Sequence, residues 1–194
     1  MSQHRHQPYA ERDESDHWSG RPNEVLESEI STLTPARALD LGCGVGADAI
    51  WMAERGWTVT AVDRSRPAID RAIEKADDVG ANVRWICGDF VEQPPPAAGF
   101  DLVTVFYPAL QKSERDRSVA ALLNGVAPGG TLLVVSHGRP HRDSASFQGF
   151  DPSQYLEAED IAGDLDADWE LEIYETPHDG DVVLRARRHS RDSR

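Results

Sequence analysis

The sequence predicts an α/β fold, a doubly wound and mostly parallel sheet that ends in an antiparallel pair of strands. Three observations predict it. Ala38–Leu41 is a short apolar run leading into a glycine-rich loop, and Ala47–Arg55 follows with helical spacing. The same alternation of buried strand and amphipathic helix repeats as far as Ser136, the order that builds a parallel sheet through helical crossovers. Trp169–Glu175 and Asp181–Arg187 then alternate apolar and polar residues, as an antiparallel pair does.

With 194 residues the chain can bury one substantial core. The expected organisation is a polar, disordered leader over 1–15, a single domain over 16–188 and a frayed tail over 189–194. The formal charge is −14, and all but two of the 20 basic residues (Lys75 and Lys112) are arginines. So acidic a surface repels nucleic-acid backbones and anionic membranes, so neither is expected as a partner. No apolar run is long enough to span a bilayer, and the polar N-terminus lacks the apolar stretch of a signal peptide. A cytoplasmic protein is the expectation.

The elements follow in order. Asp16–Asn23 sets Trp18 beside a Ser-Gly turn, and Asn23 can cap a helix whose Val25, Leu26, Ile30 and Leu33 share one face. The helix after the first strand buries Ala49, Ile50, Met52 and Ala53 and stops at Gly56. Strand two is Trp57–Val62. Ser65 and Pro67 open a helix with Ile69, Ala72, Ile73 and Ala76 as its stripe. Strand three is Asn82–Cys87, and Gln93–Gly99 is a short stiff connection. Strand four, Phe100–Phe106, is nearly all apolar, as burial on both faces requires. Ser113 and Asp116 form a capping box for a helix lined by Val119, Leu122, Leu123 and Val126. Pro128–Gly130 breaks the chain into strand five, Thr131–Ser136, which runs into the polar stretch S-H-G-R-P-H-R-D. A last helix spans Pro152–Leu165, and Thr176–Gly180 joins the antiparallel pair.

The loop at Gly42, Gly44 and Gly46 carries the chemistry. Glycine allows positive φ and removes the Cβ atoms that would hold a ligand off the backbone. The loop delivers that ligand to a helix N-terminus. Asp63, just after strand two, can accept both hydroxyls of a ribose, so the expected ligand is nucleotide-like. Gly42, Gly44 and Ala47 also satisfy the dinucleotide pattern G-x-G-x-x-G/A. Asp40 argues against a pyrophosphate there, since its carboxylate suits a ligand bearing an ammonium and a sulfonium.

Asp40, Gly42, Gly44 and Gly46 match D/E-x-G-x-G-x-G, and the match continues through Val62–Asp63, Gly88–Asp89–Phe90 and Pro128–Gly129–Gly130. Over about 100 residues the chain therefore resembles the class I S-adenosylmethionine-dependent methyltransferases, in general appearance the small tellurite-resistance and thiopurine-type enzymes. The resemblance implies a seven-stranded Rossmann-like sheet of order 3-2-1-4-5-7-6, with S-adenosyl-L-methionine as cofactor and S-adenosyl-L-homocysteine as product. It places Asp40, Gly42, Cys43, Gly44, Gly46, Asp63 and Arg64 around the cofactor. Asp89 would accept a hydrogen bond from the adenine amino group, Phe90 would pack on the ring, and Phe106 would line the pocket. Trp18 would either close over the cofactor or pack on the core. The acceptor side falls to Tyr107, which can orient a substrate, and to His137, a general base titrating near neutrality. Arg139 and His141 are placed to hold an anionic acceptor.

Methyltransferases acting on nucleic-acid bases commonly carry D/N-P-P-Y/F after strand four, whereas this chain has Val105–Phe106–Tyr107–Pro108. The expected reaction is therefore in-line methyl transfer to a small molecule bearing an oxygen, nitrogen, sulfur or metalloid nucleophile. A non-catalytic S-adenosylmethionine-binding module and a nicotinamide-dependent reductase are the alternatives. In the resembling fold Cys43 and Cys87 lie two strand spacings apart, roughly 10 Å, beyond the ~7 Å a disulfide spans. Both are expected reduced, in the core or a pocket wall. Metal-ligand spacing is absent, so no metal is expected.

Overall fold

The structure, a computed structural model, describes residues 20–138, 151–177 and 180–190. Seven strands form one sheet: β1 Arg37–Leu41, β2 Thr58–Asp63, β3 Val83–Cys87, β4 Phe100–Phe106, β5 Val126–Ser136, β6 Trp169–Glu175 and β7 Val182–Arg188. Their order is β3-β2-β1-β4-β5-β7-β6, parallel from β3 to β5 with β7 antiparallel to both its neighbours. This is the sheet the resemblance implied. The strand order reverses between β1 and β4, the switch point at which open α/β sheets bind ligands beyond their carboxyl ends.

Both faces of the centre are covered because its strands are apolar on both sides. In β5, Leu132 and Val134 join one buried cluster with Leu39, Val103, Leu122 and Ile161. Leu133 and Val135 join the other with Leu26, Met52, Ala61 and Leu102. The flanking helices are α1 Glu24–Ile30, α2 Ala47–Glu54, α3 Arg66–Val79, α4 Arg115–Gly125 and α5 Ala158–Ala162. Asn23 and Ser65 cap α1 and α3 as expected, accepting the N–H groups of Val25 and Ala68.

Four local expectations are corrected. Ser113 and Asp116 form no capping box, because Lys112–Glu114 make a 3₁₀ turn and α4 starts two residues after Ser113. The helix expected over Pro152–Leu165 is a 3₁₀ turn, Pro152–Gln154, followed by the short α5, whose capping box is Glu157 with Asp160. Strand five begins at Val126, with an irregularity in its pairing opposite Phe100–Leu102. Leu33 lies beyond the end of α1 and is exposed, as is Ile73 on α3. Among the described residues no helix is long and apolar enough to cross a membrane.

Candidate active site

The glycine loop turns between β1 and α2 and is held by β2. The N–H groups of Gly42 and Cys43 both donate to the Val62 carbonyl, at 2.8 and 3.1 Å. Gly42, Gly44 and Gly46 all have positive φ, but they do different work. A Cβ built on Gly42 or Gly44 would meet nothing within 4 Å, so these two face open space. A Cβ on Gly46 would sit 2.5 Å from the Trp85 ring and 2.9 Å from the Ala72 Cβ. The third glycine therefore lets α2 pack against β3 and α3, a different task from contact with a ligand.

Asp40 lies in β1 directly opposite Thr104 of β4. Its Oδ1 accepts the Thr104 hydroxyl at 2.9 Å, while Oδ2 is buried with no hydrogen-bond partner. Burial pushes this carboxyl up to about 8, the nearby charge of Asp48 adds to the rise, and the Thr104 bond opposes it. Asp48, in the first turn of α2, is raised to about 6 by burial, against the pull of the Asn23 N–H that it accepts at 2.7 Å. Nearby acids act also on the half-buried Cys43, whose thiol is raised by burial first and then by Asp40 and Asp63.

Asp63 does more than the sequence suggested. Its Oδ2 accepts the Gly44 N–H at 2.8 Å and its Oδ1 the Ser65 N–H at 2.7 Å, so it braces the glycine loop from β2. Each oxygen keeps a lone pair for a further donor. Asp89 accepts the Val91 N–H at 2.8 Å through Oδ1 and pairs with Arg64 at 2.9 Å through Oδ2. Phe90 and Phe106 are half-buried, packed against the two opposite core clusters. Cys87, expected in the core or a pocket wall, is exposed at the end of β3; both cysteines are free.

Across the sheet, the ends of β4, β5 and β7 form a second cluster. Tyr107 follows β4 with φ +50°, uncommon for a bulky residue and a conformation that concentrates at functional sites. Its N–H donates to the Val135 carbonyl at 2.7 Å. Its ring stacks on His137, centroids 4.2 Å apart and planes 23° from parallel. The Tyr107 hydroxyl donates to Asp181 Oδ2 at 2.6 Å and receives the Asn23 side-chain N–H at 3.2 Å. His137 Nδ1 lies 3.6 Å from Asp181 Oδ1. Asn23 thereby joins the two halves, since its backbone N–H is the one that binds Asp48.

Asp181 and this role of Asn23 were missed in the sequence. Asp181 was assigned to a strand, and no local signal set it apart; only its position beside Gly180, just before β7, hints at a turn. Trp18, Arg139 and His141 lie outside the described residues. A groove of about 540 Å³ lies elsewhere, lined by Trp57, Asp101, Gly129 and Leu133, mostly toward the amino ends of the strands and away from this chemistry.

The site fits an adenosyl-amino-acid sulfonium on two observations. The buried partnerless oxygen of Asp40 suits an ammonium donor, and the space at Gly42 and Gly44 admits a ligand against the backbone.

Residues 38–130 match the methyltransferase domain family. An uncharacterised methyltransferase of Mycobacterium tuberculosis is 42% identical over 103 residues, 53% of this chain and 51% of that protein. A cypemycin N-terminal methyltransferase from Streptomyces is 38% identical over 120 residues, 58% of this chain and 48% of that one. The chain thus spans about half the length of the curated relatives it matches. Among solved structures, TehB from Haemophilus influenzae shares the fold with a TM-score of 0.67 and 16% identity, over 87% of this chain and 62% of that one. Motifs and sheet order agree with these likenesses: over residues 38–130, just under half of the chain, it is similar to the methyltransferase domain family.

Proposed function

We propose that the protein transfers a methyl group from S-adenosylmethionine to a small molecule bearing an oxygen, nitrogen, sulfur or metalloid nucleophile. The observation that carries this reading is the partnerless buried carboxylate oxygen of Asp40 beside the open glycine loop, with Tyr107 and His137 just beyond the adjacent strand end. Asp40 would hold the amino group of the cofactor, Gly42 and Gly44 would lie against it, and Asp63 would accept the ribose hydroxyls. Asp89 with Phe90 would border the adenine. When bound, the cofactor supplies a methyl carbon made electrophilic by its sulfonium.

The protein's remaining work is alignment and water exclusion, with proton removal where the acceptor arrives protonated. Tyr107 presents a ring and a hydroxyl oxygen to the acceptor, and His137 takes the acceptor's proton. The stretch 137–168 between β5 and β6 is too short for a further domain, which favours a small acceptor. The net charge of −14 disfavours a polyanionic one.

Calorimetry and thermal unfolding with S-adenosylhomocysteine, against NAD(H) as control, test the cofactor. Saturation at 100 times the dissociation constant should add about 2.7 kcal/mol of stability. A folded protein whose melting temperature ignores millimolar S-adenosylhomocysteine would overturn the reading. Turnover across small thiols, phenols, amines and metalloid anions then separates an enzyme from a module that only binds the cofactor.

A further inference from the structure

We propose that Asp181 is the positioning residue of the acceptor site, its single carboxylate fixing both the hydroxyl direction of Tyr107 and the tautomer of His137. The inference rests on the methyltransferase reading for its purpose but on geometry for its content. Asp181 stands just before β7, only 5% exposed, far in sequence from both residues it serves. Its backbone is anchored on both sides: its N–H donates to Thr176 Oγ1 at 3.0 Å, and its carbonyl accepts the Thr176 N–H at 2.8 Å. The carboxylate then has two faces. Oδ2 accepts the Tyr107 hydroxyl, and Oδ1 meets the Gly138 N–H at 3.3 Å and His137 Nδ1 at 3.6 Å.

Two glycines make the juxtaposition possible. Gly138 passes so close to the Gly180 carbonyl that a Cβ on it has no room, and this approach sets His137 against the residue after Gly180. The consequence is chemical. A carboxylate beside Nδ1 holds the ring proton on that nitrogen and leaves the lone pair on Nε2, the nitrogen remote from Asp181. Because Tyr107 donates its proton to Asp181 and receives the Asn23 N–H, its hydroxyl meets a nucleophile as a hydrogen-bond acceptor and not as a donor. When that nucleophile attacks, its lone pair forms the new bond to carbon, the carbon–sulfur pair returns to sulfur, and its proton goes to Nε2. The resulting imidazolium is paired with Asp181 until solvent removes the proton.

Histidine nitrogen shifts in ¹⁵N-labelled protein read the tautomer with no acceptor present. The wild type should carry its neutral His137 proton on Nδ1, and Asp181→Asn should move it to Nε2. S-adenosylhomocysteine affinity should change less than about threefold in that variant. With an acceptor identified from the panel, kcat should fall by about 10²–10⁴, more than KM changes. Asp181→Glu should recover part of the loss. If Asp181→Asn fails to fold, the wild-type spectrum still decides. An Nε2–H tautomer in the wild type, or an unchanged tautomer in a folded Asp181→Asn, would overturn the proposal. Absence of S-adenosylhomocysteine binding would instead remove the methyltransferase reading and leave the tautomer result standing.

Discussion

The two halves of the site are built in opposite ways. The proposed cofactor side is made of short contiguous pieces, 40–48, 63–65 and 87–90, in which backbone conformation does most of the work. The proposed acceptor side is made of Asn23, Tyr107, His137 and Asp181, four side chains that meet only because β4 and β5 end where β7 begins and α1 starts over them. One half depends on what a loop can be, and the other on where the topology brings things. Substitutions on the cofactor side should therefore register in folding as well as binding, and those on the acceptor side chiefly in chemistry.

The largest effect should separate the glycines from one another. Gly46→Ala forces a Cβ to 2.5 Å from Trp85 at φ +84°, and overpacking plus a left-handed backbone should together cost about 2–5 kcal/mol. Gly44→Ala has the same backbone problem at φ +52° but open space around it, so about 1–2 kcal/mol is expected. Its new methyl group projects into the ligand's space, and S-adenosylhomocysteine affinity should fall further than stability does. Urea midpoints and calorimetry on the two variants measure both quantities. A Gly46→Ala protein as stable as Gly44→Ala would mean that the third glycine is not a packing residue.

This split shows what was legible in the sequence. The fold and the turn of the glycine loop were legible because their determinants are local: an apolar run, three glycines, an acid at a strand end. Even there the division of labour was not, since only the approach of Trp85 and Ala72 distinguishes Gly46 from Gly44. Nor was the bracing role of Asp63, whose partner Gly44 lies 19 residues away. Asp181 was illegible for the same reason at longer range, with Tyr107 lying 74 residues earlier in the chain. The capping box at Ser113 failed in the other direction. Its local pattern was sound, but a preceding 3₁₀ turn set the start of α4 elsewhere.

An intermediate effect should appear with pH. Asp40 is raised from 3.8 to about 8 and Asp48 from 3.8 to about 6, both mainly by burial. Between those values the folded state binds more protons than the unfolded one, so stability should fall as pH rises across that window. The melting temperature of ligand-free protein should therefore drop from about pH 5 to about pH 8, as expected where burial disfavours the charged form. Asp40→Asn should flatten most of the slope while weakening S-adenosylhomocysteine, which needs the charge. Bound ligand should flatten it too, by supplying an ammonium to the carboxylate. A ligand-free melting temperature that rises over the same range would show that Asp40 is ionised and compensated.

The smallest effect falls on the proposed adenine border, where its sign is informative. Arg64 is 69% exposed and pairs with Asp89 Oδ2 at 2.9 Å, while Asp89 Oδ1 is held by the Val91 N–H. So exposed a pair contributes about 0–1 kcal/mol to stability, and Arg64→Ala should leave the urea midpoint nearly unmoved. Binding is where two roles diverge. If Arg64 acts through Asp89, it competes with the adenine amino group for Oδ2. Removing it should then tighten S-adenosylhomocysteine by about two- to threefold, within the modest range of exposed charge contacts. S-inosylhomocysteine carries a carbonyl oxygen in place of that amino group, so its exocyclic position has no proton to give Asp89 and the gain should not appear for it. If Arg64 instead touches the cofactor directly, both ligands should weaken together. Gain for the adenosyl ligand alone is the expected result, and a parallel loss in both would move Arg64 from the partner of Asp89 to a contact of its own.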